Sequence, residues 1–596
     1  MVDTLTSPDQ HIDANLATLS RFGRFWLLTV AALDVLLVIS SMVALNAALP
    51  DIAVETAATQ TQLTWIVDGY TLVLACLLLP AGAIGDRYGR RGALVAGLAI
   101  FGVASIAPVF FDSPVQIILA RALAGVGAAF IMPATLSLLT AAFPTSERNR
   151  AVGIWAGVAS SGAIVGFMGT GLLLQYFAWQ SIFYAFSASA LALIICTLTI
   201  RSSRDDTATP IDGIGAVLIG SAVAVFVFGV VEAPVRGWTH PIVWGCMAVG
   251  VVLAAVFGAV ELQRRHPLLD VRLFGRPDFA TGSIGITILF FANFGFFFIE
   301  MQYLQLVLGY SPLQTAFALA PLAVPILILG ATMHLYLPKI GLRTAVAVGL
   351  FLIGVGLFLM RYLDAGSSYV EIAWPMLVTS AGIGLCVAPT TSAIMNAVPT
   401  EKQGVASAVN DTTREVGAAV GIAVAGSVLA AQYGAVLAPA LAEFPEQIRG
   451  GALESLANAL AIAEEMGPQG ARLADLATSA FIESMSLSLL VLSIVLAAAA
   501  AFVAIWAPGR DGKQFGFVRR TIARWSASDA AGGAGNSDAA GGAGNSDAAG
   551  SAGNSDAAGG AGNSGDELGS PVAEHDDGRV GTAAGDGGKH RAVDHP

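Results

Sequence analysis

Long apolar runs separated by short polar joints recur along the first 507 residues of the chain. A helix needs about 20 apolar residues to cross the hydrocarbon core of a bilayer. Fourteen runs suit such a helix, and we number them segments 1 to 14 in chain order. Their predicted limits are 25–49, 62–84, 92–111, 114–142, 150–172, 178–200, 211–232, 241–261, 279–303, 312–337, 343–363, 369–394, 404–431 and 480–507. The pattern predicts an all-α polytopic membrane protein.

Segment 1 is expected to be a retained helix, because its apolar run is too long for a signal peptide and 24 residues precede it.

The composition supports this class and excludes a cytosolic enzyme. The 596 residues are 55% hydrophobic and only 12% charged, whereas a soluble domain carries roughly 25% charged residues. The net charge of −12 belongs mostly to the C-terminal tail, where eleven acidic and three basic residues follow position 524. An acidic surface for partners is therefore not predicted, and neither is a nucleic-acid partner.

Metal, disulfide and ATP chemistry have no sequence signal. The cysteines stand alone inside apolar runs and form no CxxC or Cys/His cluster: they are Cys76, Cys196, Cys246 and Cys386. This pattern indicates neither a disulfide framework nor a zinc site. No G-x-x-x-x-G-K-[ST] phosphate-binding loop occurs. We expect no metal, no cofactor and no ATP-driven step within this chain.

The basic residues in the joints alternate between the two sides of the membrane. With the N-terminus inside, 21 Lys/Arg fall in inside joints and four in outside joints. Cytoplasmic loops collect Lys and Arg, so both termini are predicted to be cytoplasmic.

Two stretches of the chain match each other at a fixed offset. Pro144, Thr145, Gly162, Gly166 and Gly171 fall on Pro399, Thr400, Gly417, Gly421 and Gly426, each 255 residues apart; Gly89 and Arg91 fall on Gly341 and Arg343 at an offset of 252. The repeat predicts a cytoplasmic segment 1–24, a six-helix half 25–200, a linker 201–278 with segments 7 and 8, and a second half 279–508. Such halves hold a substrate near the midplane, at their interface. Chance similarity among glycine-rich helices is the alternative.

The regions outside the segments carry weaker signals. Residues 509–596 are rich in Gly, Asp and Ser, and SDAAGGAGN-like repeats begin at Ser528, so a disordered cytoplasmic tail is predicted. The basic stretch FGFVRRTIARW before it is either a stop-transfer flank or a contact with the anionic inner leaflet. The outside loop 432–478 has the periodicity of short amphipathic helices.

Ionisable residues inside a bilayer are functional candidates by default, because their burial is unfavourable. The candidates for proton and substrate coupling are Asp34 in segment 1, Asp68 in segment 2, Arg121 in segment 4, Glu300 in segment 9, and Asp411, Arg414 and Glu415 in segment 13. In the repeat, Asp411 maps to Ala156 and Arg414 to Ala159. Charges that break the internal symmetry suggest a task other than packing.

The three charges of segment 13 share one helix face, because they are three and four residues apart. They are either a neutralised structural pair or a pair with one carboxyl left over, which is able to bind and release a proton. Glu300 is either buried or hydrated near the interface. Glu232 and His334, at helix ends, are interpreted as structural.

Glycines at helical spacing let a second helix approach closely. The predicted packing positions are Gly157, Gly162, Gly166 and Gly171 in segment 5 and Gly417 and Gly421 in segment 13. Such smooth faces suit helices that rock against each other, and they suit static packing as well.

The joint between segments 2 and 3 reads GAIGDRYGRRGAL, from Gly82 to Leu94. It resembles the signature loop of the major facilitator superfamily. Other stretches are similar to its fourteen-helix drug:proton antiporter family, in order LNAALPDI, LTWIVDGYTLVLA, RALAGVGAA, HPLLDVRLF, YLQLVLGYSP and GVASAVNDTTREVG. The ordered set is specific to this fold and subgroup.

The resemblance implies roles for several residues. A cytoplasmic latch would be formed by Asp86 and Arg90, within a signature that also holds Gly82, Arg87, Gly89 and Arg91. Arg121 would take part in proton coupling, and Asp68, Asp411 and Glu300 would recognise cations or protons. Phe290, Phe291, Phe294 and Phe297 would suit flat lipophilic substrates, although lipid-facing or core packing explains this run equally well.

The sequence departs from the family pattern at three places. Ser41 and Val43 stand where the family has the Asp and Thr of D-x-T, and Asp34, two turns away on the same face, is a candidate substitute. Phe167 replaces the proline of G-P-x-x-G-G, and Ala124 replaces the usual Gln.

These observations predict a secondary transporter of the bacterial inner membrane. It would export hydrophobic, cationic small molecules in exchange for protons by alternating access, as a monomer embedded in the lipid bilayer. The first alternative is a dedicated exporter of one endogenous lipid, siderophore or antibiotic. The second is a transport-dead membrane scaffold or sensor that uses its tail, and a membrane enzyme is the remotest reading.

Overall fold

The computed structural model describes residues 19–56, 58, 60–111, 113–203, 212–264, 266–399, 402–510 and 514. The predicted tail from residue 515 onward, most of the N-terminal segment 1–24 and part of the linker 201–278 lie outside these residues. Within the described residues the chain is helical and contains no strand, as the apolar runs predict.

Seventeen α-helices are present in the described part of the chain. They are α1 (Arg21–Ala44), α2 (Leu49–Thr56), α3 (Gln60–Tyr88), α4 (Arg90–Ile106), α5 (Pro114–Ala142), α6 (Thr145–Tyr176), α7 (Gln180–Leu198), α8 (Gly213–Arg236), α9 (Pro241–Gln263), α10 (Pro277–Gln302), α11 (Pro312–Leu319), α12 (Ala323–Met360), α13 (Tyr369–Asn396), α14 (Gln403–Ala440), α15 (Glu446–Glu454), α16 (Leu456–Glu465) and α17 (Ala471–Trp506). Short 3₁₀ helices cover Leu45–Ala47, Ala107–Phe110, Val271–Gly275, Ala320–Leu322 and Gly467–Gly470, and a π-helix covers Tyr303–Val307. We refer to α1–α7 as the N-terminal group and to α10–α17 as the C-terminal group.

Thirteen helical stretches among the described residues are long and apolar enough to cross a membrane. One of them, Pro312–Met360, has 49 residues, which is about 74 Å at 1.5 Å per residue and more than twice the hydrocarbon thickness. It breaks at Gly341, whose φ of +78° is not helical. The break lies between predicted segments 10 and 11, so fourteen crossings remain our prediction.

The repeat of the sequence has a structural counterpart at the joints. Gly89 has a φ of +111° and Gly341 a φ of +78°, a backbone region that favours glycine. Arg91 donates to the carbonyl of Ile200 at 3.0 Å, and Arg343 donates to the carbonyl of Ala507 at 2.7 Å. Each arginine therefore ties its joint to the end of the last helix of its group, which argues against chance similarity.

The matched glycines also contact matched helices. A Cβ on Gly162 or Gly166 would lie 2.8 Å from Ile39 or 2.7 Å from Ser40, both on α1. A Cβ on Gly417 would lie 2.3 Å from the carbonyl of Thr287 on α10, and Gly421 meets the same helix. Only glycine permits these approaches, as the spacing predicts. The matched glycine pairs therefore lie where α6 packs on α1 and where α14 packs on α10.

The other two glycines of segment 5 face a different neighbour. Gly157 is 3.5 Å from Leu327 of α12, and Gly171 is 3.2 Å from Leu313 of α11, measured from an added Cβ. Helix α6 therefore packs against α1 with one face and against the C-terminal group with another.

The ends of several helices are bonded together at one face of the bundle. Arg24 at the start of α1 pairs with Glu147 at the start of α6 at 3.1 Å. Asp86 near the end of α3 bonds to Gly404 near the start of α14. We call this end of the bundle the arginine-rich face, and it is the face for which the charge count predicts a cytoplasmic location.

Two predicted helix limits are wrong at the opposite face. Helix α14 continues nine residues beyond the predicted end at 431, and α17 starts nine residues before the predicted start at 480. The extension is stabilised because Leu437, Ala452 and Leu473 pack in one buried cluster, and the Tyr433 hydroxyl donates to the carbonyl of Ala452 at 3.1 Å. Helices α15 and α16 fill the loop, which agrees with its amphipathic periodicity.

Candidate functional site

Arg121 is a fully buried cation in the N-terminal group. Its Nη1 and Nη2 donate to the hydroxyl and carbonyl of Ser41 at 2.9 and 3.1 Å, and its Nε donates to the carbonyl of Ile66 at 3.2 Å. Its guanidinium lies 4.2 Å from the centroid of the Tyr70 ring. The Tyr70 hydroxyl donates to Val38 at 3.1 Å. Arg121 therefore holds α1, α3 and α5 together through neutral oxygens and one ring.

The substitution of Ser41 for the acidic residue of the family pattern explains this arrangement. No carboxylate of the described residues forms an ion pair with Arg121. Asp34, the candidate substitute, is buried and accepts no hydrogen bond at either oxygen from the described residues. The structure therefore places Ser41, rather than Asp34, against Arg121.

Arg414 is a second buried cation, and it lies where the two groups meet. Its Nη2 donates to the Thr391 hydroxyl at 3.0 Å. Its only ion pair among the described residues is a 3.9 Å contact from Nη1 to Asp411. Its guanidinium carbon is 5.3 Å from the ring centroid of Trp155 on α6 and 5.0 Å from that of Phe290 on α10. Arg414 thus contacts rings from both groups.

The two acids of α14 are differently satisfied. Asp411 accepts from the side chain of Asn410 at 3.0 Å with one oxygen, while its Oδ2 is buried without a partner among the described residues. Glu415 is 7% exposed and forms no hydrogen bond or ion pair with a described residue. Glu415 lies close enough to Tyr70 to act on it electrostatically, which brings it near Arg121. The structure therefore gathers Arg121, Arg414, Asp411 and Glu415 in one region.

Glu300 is isolated from this region and buried. It is 1% exposed on α10, and neither carboxylate oxygen has a hydrogen-bond partner in the described part of the chain. The structure therefore favours the buried alternative for Glu300, because surrounding helices cover it. The π-helix that begins at Tyr303 follows directly, and such irregular turns are frequent at functional sites.

Asp68 lies close to α8, which follows the N-terminal group in the chain. It is half-buried on α3 and close enough to Glu232 of α8 for electrostatic repulsion. Glu232 forms an ion pair with Arg236 on the same helix, which agrees with its structural interpretation. One turn away, the rings of Trp65 and Phe228 stack at 6.0 Å.

The arginine-rich face carries a polar connection between the groups. Asp86 accepts from the Arg90 Nε at 2.9 Å and also from the backbone N–H groups of Gly404 at 2.9 Å and Val405 at 3.1 Å. These N–H groups belong to the first turn of α14, which has no intrahelical acceptor and favours a negative charge. A Cβ on Gly82 would lie 2.5 Å from the carbonyl of Gly404, so glycine permits the approach.

Other arginines of the signature make contacts within the N-terminal group and with the residues that follow α7. Arg90 also donates to the Ser203 hydroxyl at 2.9 Å, and Arg91 binds the end of α7 as described above. Arg87 lies over the ring of its neighbour Tyr88 at 5.4 Å. Among the signature side chains, Asp86 makes the contact to α14.

A second polar contact joins the groups at the same face. The Ser392 hydroxyl donates to Asn149 Oδ1 at 2.7 Å, and the Asn396 amide approaches the same oxygen at 3.4 Å. Sequence reasoning did not single out Asn149 or Trp155. The available signal for Trp155 was a tryptophan inside an apolar segment, where its N–H needs a partner; it donates to Thr135 at 3.3 Å.

The aromatic run of α10 divides between two environments. Phe290 contacts Arg414 as described, and its ring stacks on Phe294 at 5.9 Å. Phe291 and Phe297 are half-buried and pack against the core. Gly421 packs closely against the Phe291 carbonyl. One phenylalanine of the run is therefore at the charged region, and packing accounts for Phe291 and Phe297.

This fold and this charged interior belong to a known class. The profile of the Major Facilitator Superfamily matches residues 32–422, and the chain therefore belongs to this superfamily of transporters; it is not an enzyme. The chain is similar to the multidrug efflux pump LfrA of Mycolicibacterium smegmatis, with 33% identity over 81% of this chain and 96% of the relative. It is also similar to the methyl viologen resistance protein SmvA of Salmonella typhimurium, with 31% identity over 78% of this chain and 95% of the relative.

The likeness to solved structures agrees with this fold. The proton:xylose symporter XylE matches with a TM-score of 0.53 and 13% identity, covering 83% of this chain and 98% of that structure. The relatives are bacterial drug efflux and resistance transporters, and the chain is a multi-pass protein of the bacterial inner membrane with a small-molecule substrate.

Proposed function

We propose that the chain exports hydrophobic, cationic small molecules in exchange for protons by alternating access. The observation that carries this proposal is the buried charged cluster on α14. Arg414 lies there against rings of both groups and 3.9 Å from Asp411, and Glu415 forms no hydrogen bond or ion pair with a described residue. A carboxylate in a low-dielectric region attracts a cation strongly. A proton and a cationic substrate would therefore compete for the same group.

The isolated acids support proton coupling. Asp34 and Glu300 are buried with no hydrogen-bond partner in the described part of the chain. An ionised carboxylate without a partner is strongly unfavourable in such a position, so binding of a proton or another cation would stabilise it. Acids of this kind suit a carrier that takes up protons on one side and releases them on the other.

The contacts between the groups support alternating access. The groups correspond to the proposed halves 25–200 and 279–508, joined by the linker 201–278. Asp86 with Gly404 and Asn149 with Ser392 are polar contacts that join the groups at the arginine-rich face. Breaking them would open this face, predicted to be cytoplasmic, to load the substrate.

The chemistry of the relatives supports the substrate class. One relative is a methyl viologen resistance protein, and methyl viologen is a flat aromatic dication. A ring at the charged cluster of α14, such as Phe290 at 5.0 Å from the guanidinium carbon of Arg414, matches a molecule of that kind.

The test is ethidium efflux from energised cells with and without a protonophore, using Asp34→Asn, Asp68→Asn, Asp411→Asn and Glu415→Gln. We expect efflux by the unmodified protein to stop when the proton gradient collapses. At least Asp411→Asn and Glu415→Gln should reduce efflux severalfold. Glu465→Gln, an exposed acid on α16, is the matched control. Undiminished efflux without a gradient would contradict proton coupling, and normal efflux in all four variants would contradict the site.

A further inference from the structure

Arg414 is a buried cation that donates to the Thr391 hydroxyl and also contacts two aromatic rings. The ring centroids of Phe290 and Trp155 lie 5.0 and 5.3 Å from its guanidinium carbon, within the distance at which a cation is attracted to a ring face. The single ionic contact within the described residues, to Asp411, is long at 3.9 Å. The Arg414 Nε is buried and has no partner there either. The side chain is thus less completely paired than a structural buried arginine requires.

The surroundings of the guanidinium have the composition of a binding site for an organic cation. Two rings come from helices of different groups, and Phe294 extends one of them by stacking on Phe290. Two acids lie three residues before and one residue after Arg414 on the same helix. Rings with nearby carboxylates are the general means by which proteins bind cations with delocalised or shielded charge.

The guanidinium lies away from the helix ends. Arg414 is 11 residues from the start of α14 and Trp155 is 10 residues from the start of α6, and both helices start at the arginine-rich face. At 1.5 Å per residue these separations are about 15–17 Å along each helix. A transporter of this architecture holds its substrate within the membrane, between its halves.

We infer that Arg414 is a tethered cation that occupies the binding site for the positive charge of the cargo, and that the cargo must displace it from between Trp155 and Phe290. This inference rests on the proposed function, because it assumes a cationic cargo. The displaced guanidinium keeps Asp411 within reach, since the two residues are one turn apart. Glu415 is then left to balance the charge of the cargo.

Displacement would also affect the contact between the groups. Trp155 belongs to the N-terminal group and Arg414 to the C-terminal group, so their contact links the two groups inside the bundle. A cargo that takes the place of the guanidinium breaks this link when it binds. Loading and rearrangement would thereby be connected by one side chain.

The test is equilibrium binding of radiolabelled tetraphenylphosphonium to the purified full-length protein in nanodiscs, with no gradient. Arg414→Gln removes the tethered cation and should tighten binding by about fivefold or more. Trp155→Leu should weaken binding. In the double variant the gain in affinity from Arg414→Gln should be much smaller, because one of the two rings for which the cations compete is gone. Arg361→Gln is the matched control, since Arg361 also stacks on two rings, those of Phe358 and Tyr362 at 5.4 Å, but outside this region.

The double variant separates ring competition from simple charge removal. If Arg414→Gln tightens tetraphenylphosphonium binding equally with and without Trp155, the loss of charge repulsion explains the gain in affinity, and the inference is overturned. Unchanged or weaker binding by Arg414→Gln overturns it as well. If this variant does not fold, as judged by its melting curve, Arg414→Lys keeps the charge but loses the planar stacking, and it should bind about twofold tighter; unchanged binding overturns the inference.

The proposed function can fail separately. If the binding results are as expected and the protein does not export ethidium from cells, the proposed function fails and the tethered cation stands. If efflux depends on the proton gradient but Arg414→Gln does not tighten tetraphenylphosphonium binding, the inference about Arg414 fails and the proposed function stands.

Discussion

Asp86 accepts a hydrogen bond from the backbone N–H of Gly404 at 2.9 Å, and this bond joins the end of α3 to the start of α14. The two residues are 318 positions apart in the chain. The carboxylate replaces the intrahelical acceptors that the first turn of α14 lacks, and its charge is favourable at that helix end. The closure of the arginine-rich face therefore depends on a helix cap supplied by the other group.

Asp86→Asn should open this face. It removes the charge and one of the two acceptor oxygens, which we expect to weaken the cap by about 1 kcal/mol. The ratio of open to closed molecules would then rise about fivefold. The measurement is the spin–spin distance between labels at Tyr88→Cys and Lys402→Cys in a background without the four natural cysteines, where the long-distance population should grow.

The control for this change is Glu147→Gln. Glu147 pairs with Arg24 at the same face, but both residues belong to the N-terminal group, so the distance distribution should not change. An unaltered distribution in Asp86→Asn would mean that the cap does not hold the groups together.

The glycines of α14 lead to a prediction about stability. A Cβ on Gly417 would lie 2.3 Å from the carbonyl of Thr287, which is backbone and cannot move aside. Gly417→Ala should therefore push α14 from α10 and destabilise the protein by about 1–3 kcal/mol. The measurement is the melting temperature in detergent, followed by the loss of the monodisperse peak in size-exclusion chromatography.

Gly434→Ala is the matched control on the same helix, because no atom lies within 4 Å of an added Cβ there. It should leave the melting temperature unchanged or raise it, since alanine favours the helix. Equal melting temperatures for the two variants would contradict the close packing of α14 on α10.

The sequence predicted the helices and the internal repeat because both depend on local patterns. Apolar runs define the membrane helices, and glycines at matching offsets mark the positions where matched helices approach. The contact of Arg414 with Trp155 could not be predicted in this way. The two residues lie 259 positions apart, and their contact depends on how α6 packs against the C-terminal group.

The candidate acids were found by a rule of composition, but their environments were not. The rule identifies any ionisable residue in an apolar run. It does not distinguish Asp68, which lies near Glu232 of α8, from Asp411, which lies near Arg414. It also leaves open whether Glu300 is hydrated, because neighbouring helices that are distant in the chain decide its burial.

Arg121 should not tolerate replacement by lysine. Its planar guanidinium bonds to Ser41 twice and to Ile66 once while it lies on the Tyr70 ring. A lysine ammonium cannot reproduce this forked and stacked geometry. Losing two hydrogen bonds to a charged group removes about 3 kcal/mol of stabilisation. We expect Arg121→Lys to slow substrate-driven proton movement in liposomes by about tenfold or more.

Arg361→Lys is the control for this experiment, because Arg361 stacks on rings outside the charged region and should be dispensable for proton movement. Full proton movement in Arg121→Lys would mean that only the positive charge at this position matters. The hydrogen-bonding geometry at Ser41 would then have no part in coupling.

The break at Gly341 makes the number of crossings testable, because the number decides on which side of the membrane α15 lies. With the N-terminus inside, Gln447 follows thirteen crossings if the stretch Pro312–Met360 crosses twice, and it is then outside. If that stretch crosses once, Gln447 follows twelve crossings and is inside.

Gln447→Cys, at an exposed position of α15, should therefore react with a membrane-impermeant maleimide in intact cells. Phe22→Cys, exposed at the start of α1, should react only after lysis. Labelling of Gln447→Cys only after lysis, with Phe22→Cys still protected in intact cells, would refute fourteen crossings. Labelling of Phe22→Cys in intact cells would refute the cytoplasmic N-terminus.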